Sequence, residues 1–286
     1  MVDQPRVRIG ELSRRVGVSP QLLRAWEARY SLLAPARSAG GLRLYSAEDE
    51  RRVRLMLEQL AQGAPAAEAA RVALARERTP AGGHMADAQE LARELEAGVA
   101  VLDEPRTQAV LDRALEGRPL AQALGDLILP FLRHIGESWA AGEIGVAHEH
   151  FASNAIGARL RALARGWGAG VGPRALLACQ PGERHDLGLL CFGLALRERG
   201  WRIAYLGADT PLADVIGAAR ELSPAIVVLA AVERERFRRS AAQIKALRKQ
   251  ARVAIGGAGA TPPLAAQLGV ELLAGDAVSE AAALVP

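Results

Sequence analysis

The stretch QPGERHDLGLL places one imidazole, His185, in a loop between glycines and beside the acids Glu183 and Asp186. A neutral imidazole is a common metal ligand. A carboxylate two residues away can hold the other ring nitrogen and raise the basicity of the first. His185 is therefore a candidate metal ligand with Glu183 as its support. The alternative is a purely structural histidine, which is the commoner case for a lone His.

A second stretch, ESWAAGEIGVAHEHFAS, separates Trp139 from the pair Glu149-His150 by nine residues. An indole can stack on an apolar or purine surface, and a carboxylate can accept hydrogen bonds from ribose hydroxyls. These side chains could line the roof of a pocket. They could equally be ordinary surface and core residues.

The elements that must position His185 alternate between short apolar runs and helical stretches from Pro173 onwards. The runs are RALLACQ, WRIAYLG, AIVVLAA, RVAIGG and VELLAG. This pattern predicts a Rossmann-type α/β domain over 173–286, with a five-stranded parallel sheet in flavodoxin-like order. Ligands of such folds bind at the carboxyl ends of the strands, where His185 follows the first strand and Gly256-Gly257 follow the fourth.

Residues 88–168 show helical periodicity without strand-like alternation. The pattern predicts a four-helix bundle with helices near 88–102, 104–116, 119–141 and 143–166. The last two helices carry Trp139 and Glu149-His150. Residues 79–87, TPAGGHMAD, are predicted to be a linker.

Residues 1–78 predict a winged helix-turn-helix. A first helix ends at Gly17, and a second begins after Ser19, an N-cap candidate, with Pro20 in its first position. Leu22, Leu23 and Trp26 are expected to face the core. Two short extended arms follow around Gly40-Gly41, and then a helix capped by Ser46.

Composition narrows the class of protein. Half of the 286 residues are hydrophobic, and the two cysteines, Cys179 and Cys191, lie in apolar runs, which predicts reduced core residues. Residues 1–78 hold 14 Arg against 9 acids, so the net charge of +4 is concentrated there, as in a nucleic-acid-binding head. We find no apolar, uncharged stretch of about 18 residues and no signal-peptide pattern, and we expect a cytoplasmic protein without a membrane segment.

The stretches IGELSRRVGVSPQLLRAWEARY and PARSAGGLRLYSAED resemble the MerR family of winged-helix regulators. The resemblance implies that the helix after Ser19 enters the major groove of double-stranded DNA, and that phosphate contacts dominate affinity. The alternative is a helix-turn-helix used only for protein contacts. One departure is Ser31, where the family commonly has Gly. The side chains expected to reach bases or phosphates are Arg14, Arg15, Gln21, Arg24, Arg37, Arg43 and Tyr45.

The pattern Glu183-x-His185-x-x-Gly188 resembles the signature of cobalamin-binding domains, which implies that His185 coordinates cobalt from below. In that family Gly256-Gly257 would let the nucleotide tail pass. Together with the order of domains, the Trp139 and Glu149-His150 motif resembles light-responsive, cobalamin-binding MerR regulators of the CarH/LitR type. That resemblance implies that Trp139 packs over the upper axial group of adenosylcobalamin and that Glu149 and His150 contact its adenosyl moiety.

Two departures from this family concern ligands. Ala140 stands where these photoreceptors carry a His that binds cobalt after light cleaves the cobalt–carbon bond, so a lit state would need another ligand; of His134 and His148, the latter is the better candidate. Ala230-Ala231 replace a Ser that hydrogen-bonds the nucleotide tail.

The resemblance implies a B12-dependent, light-responsive repressor, not an enzyme, that binds operator DNA as a cobalamin-stabilised homo-oligomer, a tetramer in the dark. Three alternatives remain at this stage. One is a corrinoid-binding enzyme component of the methyltransferase or mutase type, against which the basic head argues. Another is a MerR-type regulator that senses B12 without a light response. The third is a regulator of the same lineage that no longer binds B12, an alternative that Ala140 and Ala230-Ala231 keep open.

Overall fold

The computed structural model describes residues 7–37, 41–61, 64–75, 81–116 and 118–285. The chain divides into two compact units, Met1–Ala86 and Asp87–Pro286. Within the described residues, no helix is both long and apolar enough to cross a membrane.

The first unit has the predicted winged helix-turn-helix. Gly17 ends the first helix in the left-handed conformation, and the Ser19 hydroxyl accepts a hydrogen bond from the Leu22 N–H at 3.2 Å, which caps the second. Ser31, with φ 53°, adopts the left-handed conformation after this second helix, where Gly is sterically easiest. The elements are α1 (Ile9–Val16), α2 (Pro20–Tyr30), β1 (Ala36–Arg37), β2 (Arg43–Leu44), α3 (Ala47–Ala61) and α4 (Ala66–Ala75).

One core prediction for this unit is wrong. Leu23 and Trp26 are buried as expected, but Leu22 is 43% exposed. Leu22 lies in the first turn of α2, one helical step away from the stripe formed by Leu23 and Trp26, so it faces solvent. Of the predicted turn, Gly40 lies outside the described residues, whereas Gly41 has φ 76°.

The next helices are α5 (Ala81–Ala100), which begins before the boundary between the units, and then α6 (Glu104–Leu115), α7 (Leu120–Ala123), α8 (Leu129–Ala140) and α9 (Val146–Leu163) of the second unit. The first of these helices begins within the predicted linker: of residues 79–87, those from Ala81 onwards are helical. Ala88, Leu91 and Leu95 anchor α5 in the core, and the segment before them holds no proline after Pro80, so the helix extends backwards.

The predicted helix 119–141 is present but contains a π-helical segment, Leu124–Ile128, between α7 and α8. Pro130 explains it. Proline lacks an N–H, and its ring collides with the carbonyl four residues earlier, so the preceding turn widens. Gly125, in the π segment, lies near Val278 of the final helix, so the wide turn is also where this helix packs on the α/β domain.

The α/β domain is the predicted five-stranded parallel sheet, in the flavodoxin-like order β4-β3-β5-β6-β7. Its strands are β3 (Arg174–Cys179), β4 (Arg202–Gly207), β5 (Ile226–Ala230), β6 (Val253–Gly256) and β7 (Glu271–Leu273). Its helices are α10 (Leu187–Glu198), α11 (Leu212–Leu222), α12 (Arg234–Arg239), α13 (Ala241–Leu247), α14 (Pro262–Leu268) and α15 (Ala277–Ala283). The strand ends Cys179, Ala230 and Gly256 are register neighbours, so the loops after β3, β5 and β6 start side by side.

Helix α10 joins the bundle to the sheet. Its residues Leu190, Cys191 and Leu194 belong to one core cluster with bundle residues such as Phe131, whereas Leu189 and Phe192 pack into the core on the sheet. A helix buried on two sides has to be apolar all round, as LGLLCFGLALRE is. Both cysteines are free and buried, and burial raises the pKa of each thiol to about 12, as expected of core residues.

Candidate cofactor site and DNA-binding surface

His185 lies at the carboxyl edge of the sheet, in the loop between β3 and α10. Its side chain is 68% exposed, and its Nδ1 lies 2.5 Å from Oε1 of Glu183. The same oxygen accepts the backbone N–H of His185 at 2.9 Å. The other ring nitrogen, Nε2, has no hydrogen bond to any part of the chain that the structure describes. An exposed imidazole held by a carboxylate through its second nitrogen is the usual arrangement of a histidine metal ligand.

Glu183 is fully buried beneath His185 and is fixed from two sides. Its Oε2 accepts the N–H of Val232 at 2.8 Å and lies 3.4 Å from Nε of Arg236. Burial alone would raise the pKa of this carboxyl, but the hydrogen bonds from the His185 and Val232 N–H groups and from the His185 ring outweigh it and hold the pKa below its usual range. Glu183 therefore stays ionised and keeps its acceptors aimed at the imidazole.

The loop that carries Glu183 is also tied to the neighbouring strand. Asp209, after β4, accepts the N–H of Gly182 at 2.5 Å and donates its own N–H to the Glu183 carbonyl at 2.7 Å. Gly182 has φ 78°, and a Cβ there would collide with the guanidinium of Arg236. The position of His185 is therefore set by β4 and β5 as well as by β3.

The three predicted glycines offer bare backbone near this loop. Gly188 lies exposed in the first turn of α10, with no atom within 4 Å of a Cβ added there. Gly257 has φ 89°, and a Cβ there would lie 2.6 Å from the Ala231 carbonyl oxygen. Gly256 ends β6 beside Ala230. Only glycine satisfies position 257, whereas position 188 has room for a side chain.

The bundle residues of the second motif lie on α8 and α9, which pack against each other. Trp139, at the end of α8, is 47% exposed. Glu149 lies in the first turn of α9, where its Oε1 accepts the Ser153 hydroxyl at 2.7 Å and its Oε2 lies 2.5 Å from Nδ1 of His150. His150 is 69% exposed. His150 thus repeats the arrangement of His185, with one nitrogen held by a neighbouring carboxylate.

The face of α9 that carries His150 is the face that meets the His185 loop. Gly157 and Arg161 follow His150 at intervals of seven and four residues, so the three share one helical stripe. A Cβ on Gly157 would lie 3.1 Å from Leu187, and Arg161 Nη2 lies 2.9 and 3.1 Å from the two carboxylate oxygens of Asp186. Along the same stripe His150 lies about 10 Å closer to the start of the helix than Gly157.

Asp186 has a role that the sequence did not reveal. The carboxylate of this buried residue does not support His185 but accepts Arg161 of α9 and the Tyr205 hydroxyl of β4, the latter at 2.9 Å. Burial and the Asp186 carboxylate raise the pKa of Tyr205, which keeps the phenol protonated as a donor. The Tyr205 ring in turn lies 5.4 Å from that of Trp167 in the segment after α9.

The two histidines considered as upper ligands lie elsewhere. His148 is rotated about 200° around α9 from His150 and shares a stripe with the buried Ala152 and Ala155. Its Nδ1 is buried without a hydrogen-bond partner among the described residues. His134 Nε2 lies 2.6 Å from Oε1 of Glu96 on α5. His148 therefore lies on the stripe of α9 that faces the bundle, opposite His150, and its role as an upper ligand stays a prediction.

Buried polar atoms near the loop test whether these residues fit a corrinoid. Gln180, directly after β3, is fully buried, and neither side-chain amide atom has a partner among the described residues. Buried amides are normally hydrogen-bonded, so a free one beside a candidate site indicates a ligand group. A cobalamin whose own base is displaced takes a protein imidazole as a ligand, and its amides and phosphate take hydrogen-bonding partners. The residues around His185 fit those needs.

The predicted DNA-contacting side chains lie mainly on the surface of the first unit. Arg14 pairs with Glu11, and Arg15 lies 3.0 Å from Glu11 and 3.5 Å from Glu50. Gln21 and Arg24 are exposed on α2. For Arg37 the structure describes the β1 backbone, whereas its side chain lies outside the described part. The surface of α2 thus offers a basic and an amide side chain to a DNA groove.

Tyr45 and Arg43 lie at the end of the wing and share one partner. Arg43 Nε lies 3.0 Å from Oε1 of Glu27, and the Tyr45 hydroxyl donates to Oε2 of the same residue at 2.8 Å. Tyr45 is fully buried, and burial together with Glu27 raises its pKa to about 12. The predicted DNA contact of Tyr45 is therefore corrected: its ring is part of the core, whereas Arg43 stays exposed.

Three known families match most of the chain. Residues 7–75 match the MerR HTH family of regulatory proteins. Residues 91–164 match a B12 binding domain family, and residues 173–285 match a second B12 binding domain family. The helical part and the α/β part thus both match B12-binding families, so cobalamin is the class of cofactor. The match of residues 7–75 to the MerR HTH family makes DNA a binding partner.

Individual relatives agree with this assignment. The fold resembles that of the Methanosarcina barkeri monomethylamine corrinoid protein, with a TM-score of 0.57 and 20% identity over 68% of this chain and 96% of that one. The HTH-type transcriptional repressor CarA of Myxococcus xanthus is 35% identical over 79% of this chain and 76% of its own length. CarH, an HTH-type transcriptional repressor of the same organism, is 35% identical over 79% of this chain and 78% of its own length. The chain therefore belongs to the family of these HTH-type transcriptional repressors, with a MerR domain followed by B12-binding domains.

Proposed function

We propose that this protein is a transcriptional repressor that binds adenosylcobalamin between α9 and the carboxyl edge of the sheet, and that light relieves the repression. When bound, adenosylcobalamin supplies a cobalt–carbon bond that light breaks. The observation that carries the proposal is His185, an exposed imidazole whose Nδ1 is held by the buried Glu183. The similarity to CarA and CarH supports the regulatory part.

On the lower side, His185 Nε2 is the proposed cobalt ligand. Glu183 fixes the ring orientation and raises the basicity of the free nitrogen. Gly256 and Gly257 leave space for the nucleotide tail, because no side chain projects from them. The amide of Gln180 offers the tail a donor and an acceptor beside Ala230, whose carbonyl accepts the Gln180 N–H at 2.9 Å. Gln180 is therefore our candidate for the hydrogen bond that Ala230-Ala231 cannot make.

On the upper side, the proposed contacts come from the bundle. The exposed indole of Trp139 would pack against the adenosyl group and exclude water from it. Glu149 accepts hydrogen bonds from ribose hydroxyls, and His150 lies on the stripe of α9 that meets the His185 loop. The bundle therefore acts as a lid whose contacts depend on the adenosyl group.

DNA release follows from coupling between cofactor and assembly. We propose that the dark, cofactor-bound chain forms a homo-oligomer, a tetramer, so that several MerR domains bind one operator with an avidity that a single domain lacks. Without the adenosyl group, Trp139, Glu149 and His150 would lose their partner and the smaller species would be favoured, so cofactor and DNA binding would share a coupling free energy. The proposed role requires no turnover of substrate, and we propose that the protein is not an enzyme.

The test is the absorption spectrum of the full chain loaded with adenosylcobalamin, in the dark and after green light, together with size and operator retardation. On illumination, the wild-type chain is expected to change its absorption spectrum, its size and its operator retardation. His185→Ala is expected to hold the vitamin more weakly, with a spectrum that lacks the nitrogen ligand. His134→Ala, an exposed His paired with Glu96, is the matched control and should resemble wild type. A chain that stays colourless would end the proposal.

A further inference from the structure

We infer that Arg161, Asp186 and Tyr205 form a latch that couples the position of the lid helix α9 to the position of His185. The inference rests on the proposed function, because it assigns these side chains a role in holding the cobalt ligand. They are positioning residues, since they act through His185 and not on the cofactor itself.

Asp186 is suited to this task because it is the residue after His185 and the start of α10. The residue is buried, and both of its oxygens lie within 3.1 Å of one guanidinium nitrogen of Arg161. The Tyr205 hydroxyl donates to Oδ2 at 2.9 Å and lies 3.3 Å from the Asp186 carbonyl oxygen. A buried carboxylate that loses its cation is costly, so withdrawal of Arg161 must disturb the turn that carries His185.

Arg161 is placed to report the position of the lid. It belongs to the stripe of α9 that also carries His150, and Gly157 on that stripe lets α9 approach Leu187, the next residue after Asp186. Thus one face of one helix contacts both the proposed upper-side cofactor surface and the two residues that follow the lower ligand. A shift of α9 caused by loss of the upper group would change the contact between Arg161 and Asp186.

A matched control exists on the same helix. Arg159 also lies on α9 and also pairs with an aspartate, but its partner is Asp112 of α6, inside the bundle. Arg159→Met removes an arginine–aspartate pair of the bundle without touching the His185 loop. Arg161→Met removes the pair that reaches the loop. A merely structural loss in α9 is expected to affect both variants alike.

The first measurement is binding of cob(II)alamin to the full chain, read by affinity and by the nitrogen splitting in its electron paramagnetic resonance spectrum. Arg161→Met is expected to bind about tenfold more weakly and to show a smaller fraction of nitrogen-ligated cobalt, whereas Arg159→Met matches wild type. The tenfold figure corresponds to about 1.4 kcal/mol, the low end for a hydrogen bond to a charged group, because Arg161 is half-exposed. Equal spectra and affinities for the two variants would overturn the latch.

A double-mutant cycle separates action through His185 from an independent effect. In a His185→Ala background the latch no longer holds a ligand, so Arg161→Met is expected to change cob(II)alamin affinity less than twofold. If the tenfold loss persists in that background, the effects are additive and Arg161 does not act through His185.

Amide hydrogen exchange of the chain without cofactor keeps this inference distinguishable from the proposed function. The N–H of His185 is held by Glu183 Oε1, and the latch predicts that Arg161→Met, but not Arg159→Met, speeds its exchange severalfold. If Arg161→Met exchanges faster and the wild-type chain does not bind cobalamin, the latch is retained and the proposed cofactor role is rejected. Unchanged exchange with intact cobalamin binding would reject the latch alone.

Discussion

Replacing Glu183 by Gln tests whether the charge beneath His185 holds the loop together. Oε1 accepts two hydrogen bonds from His185, and Oε2 accepts the Val232 N–H and faces Arg236. A glutamine amide has one acceptor oxygen, so its NH₂ group must face donors on one side. That leaves at least one buried N–H without an acceptor, at about 1–3 kcal/mol, and removes a charge beside Arg236. We expect a loss of about 2–4 kcal/mol in the free energy of unfolding at pH 7.

The pH dependence gives the sign of the effect. The pKa of Glu183 is lower in the folded chain than its ordinary value near 4.3. A depressed carboxyl pKa stabilises the fold at pH values above the unfolded pKa, and that stabilisation disappears as the pH falls through the folded pKa. The difference between wild type and Glu183→Gln should therefore be full at pH 7 and shrink below about pH 4.

The assay is urea unfolding of both proteins across that pH range, followed by circular dichroism. Glu143→Gln is the matched control, because this exposed carboxylate accepts only the Ser138 hydroxyl among the described residues, at 2.9 Å. It should change stability by less than about 0.5 kcal/mol. Equal midpoints for wild type and Glu183→Gln at pH 7, or a difference that does not shrink in acid, would refute the reasoning.

Three further predictions follow from individual side chains. Gly257→Ala should destabilise the chain by about 1–3 kcal/mol in thermal unfolding, because it forces a left-handed φ and a 2.6 Å contact with a carbonyl, whereas Gly188→Ala should unfold like wild type. After illumination, His150→Ala should alter the absorption of the cobalt chromophore while His148→Ala leaves it unchanged; the reverse result would support His148 as the upper ligand. Arg24→Ala should weaken operator binding in retardation assays and lower the salt dependence by about one unit if it contacts phosphate; an unchanged slope with altered base preference would assign it to a base edge.

Much of the fold could be predicted because its signals are local. Alternating apolar runs gave the sheet order, and the caps at Ser19 and Ser46 gave helix starts that the structure confirms. The exceptions depend on neighbours distant in sequence. The burial of Tyr45 depends on Glu27, and the extension of α5 to Ala81 depends on packing of the helix behind it. Pro130 was visible, but its effect is a local π segment and not a break, because α7 and α8 are both held by packing.

The candidate site likewise has one part that depends on neighbours in the sequence and another that depends on distant residues. Glu183 lies two residues from His185, so the sequence alone could pair them, and the structure places them 2.5 Å apart. The partners of Asp186 lie 25 and 19 residues away, in different elements, and no short pattern connects them. A motif therefore identifies the candidate ligand and its support, whereas the contact between Asp186 and α9 becomes visible only when α9, β4 and the loop are assembled.

The two acids beside His185 consequently have different partners, although both are its near neighbours in the sequence. Glu183 connects the imidazole to the sheet, through Val232 and Arg236 on the side of β5. Asp186 connects the next residue to the lid, through Arg161. The tie through Glu183 holds the imidazole on the sheet, whereas the half-exposed ion pair of Asp186 is the route by which a shift of α9 is expected to reach the turn that carries His185.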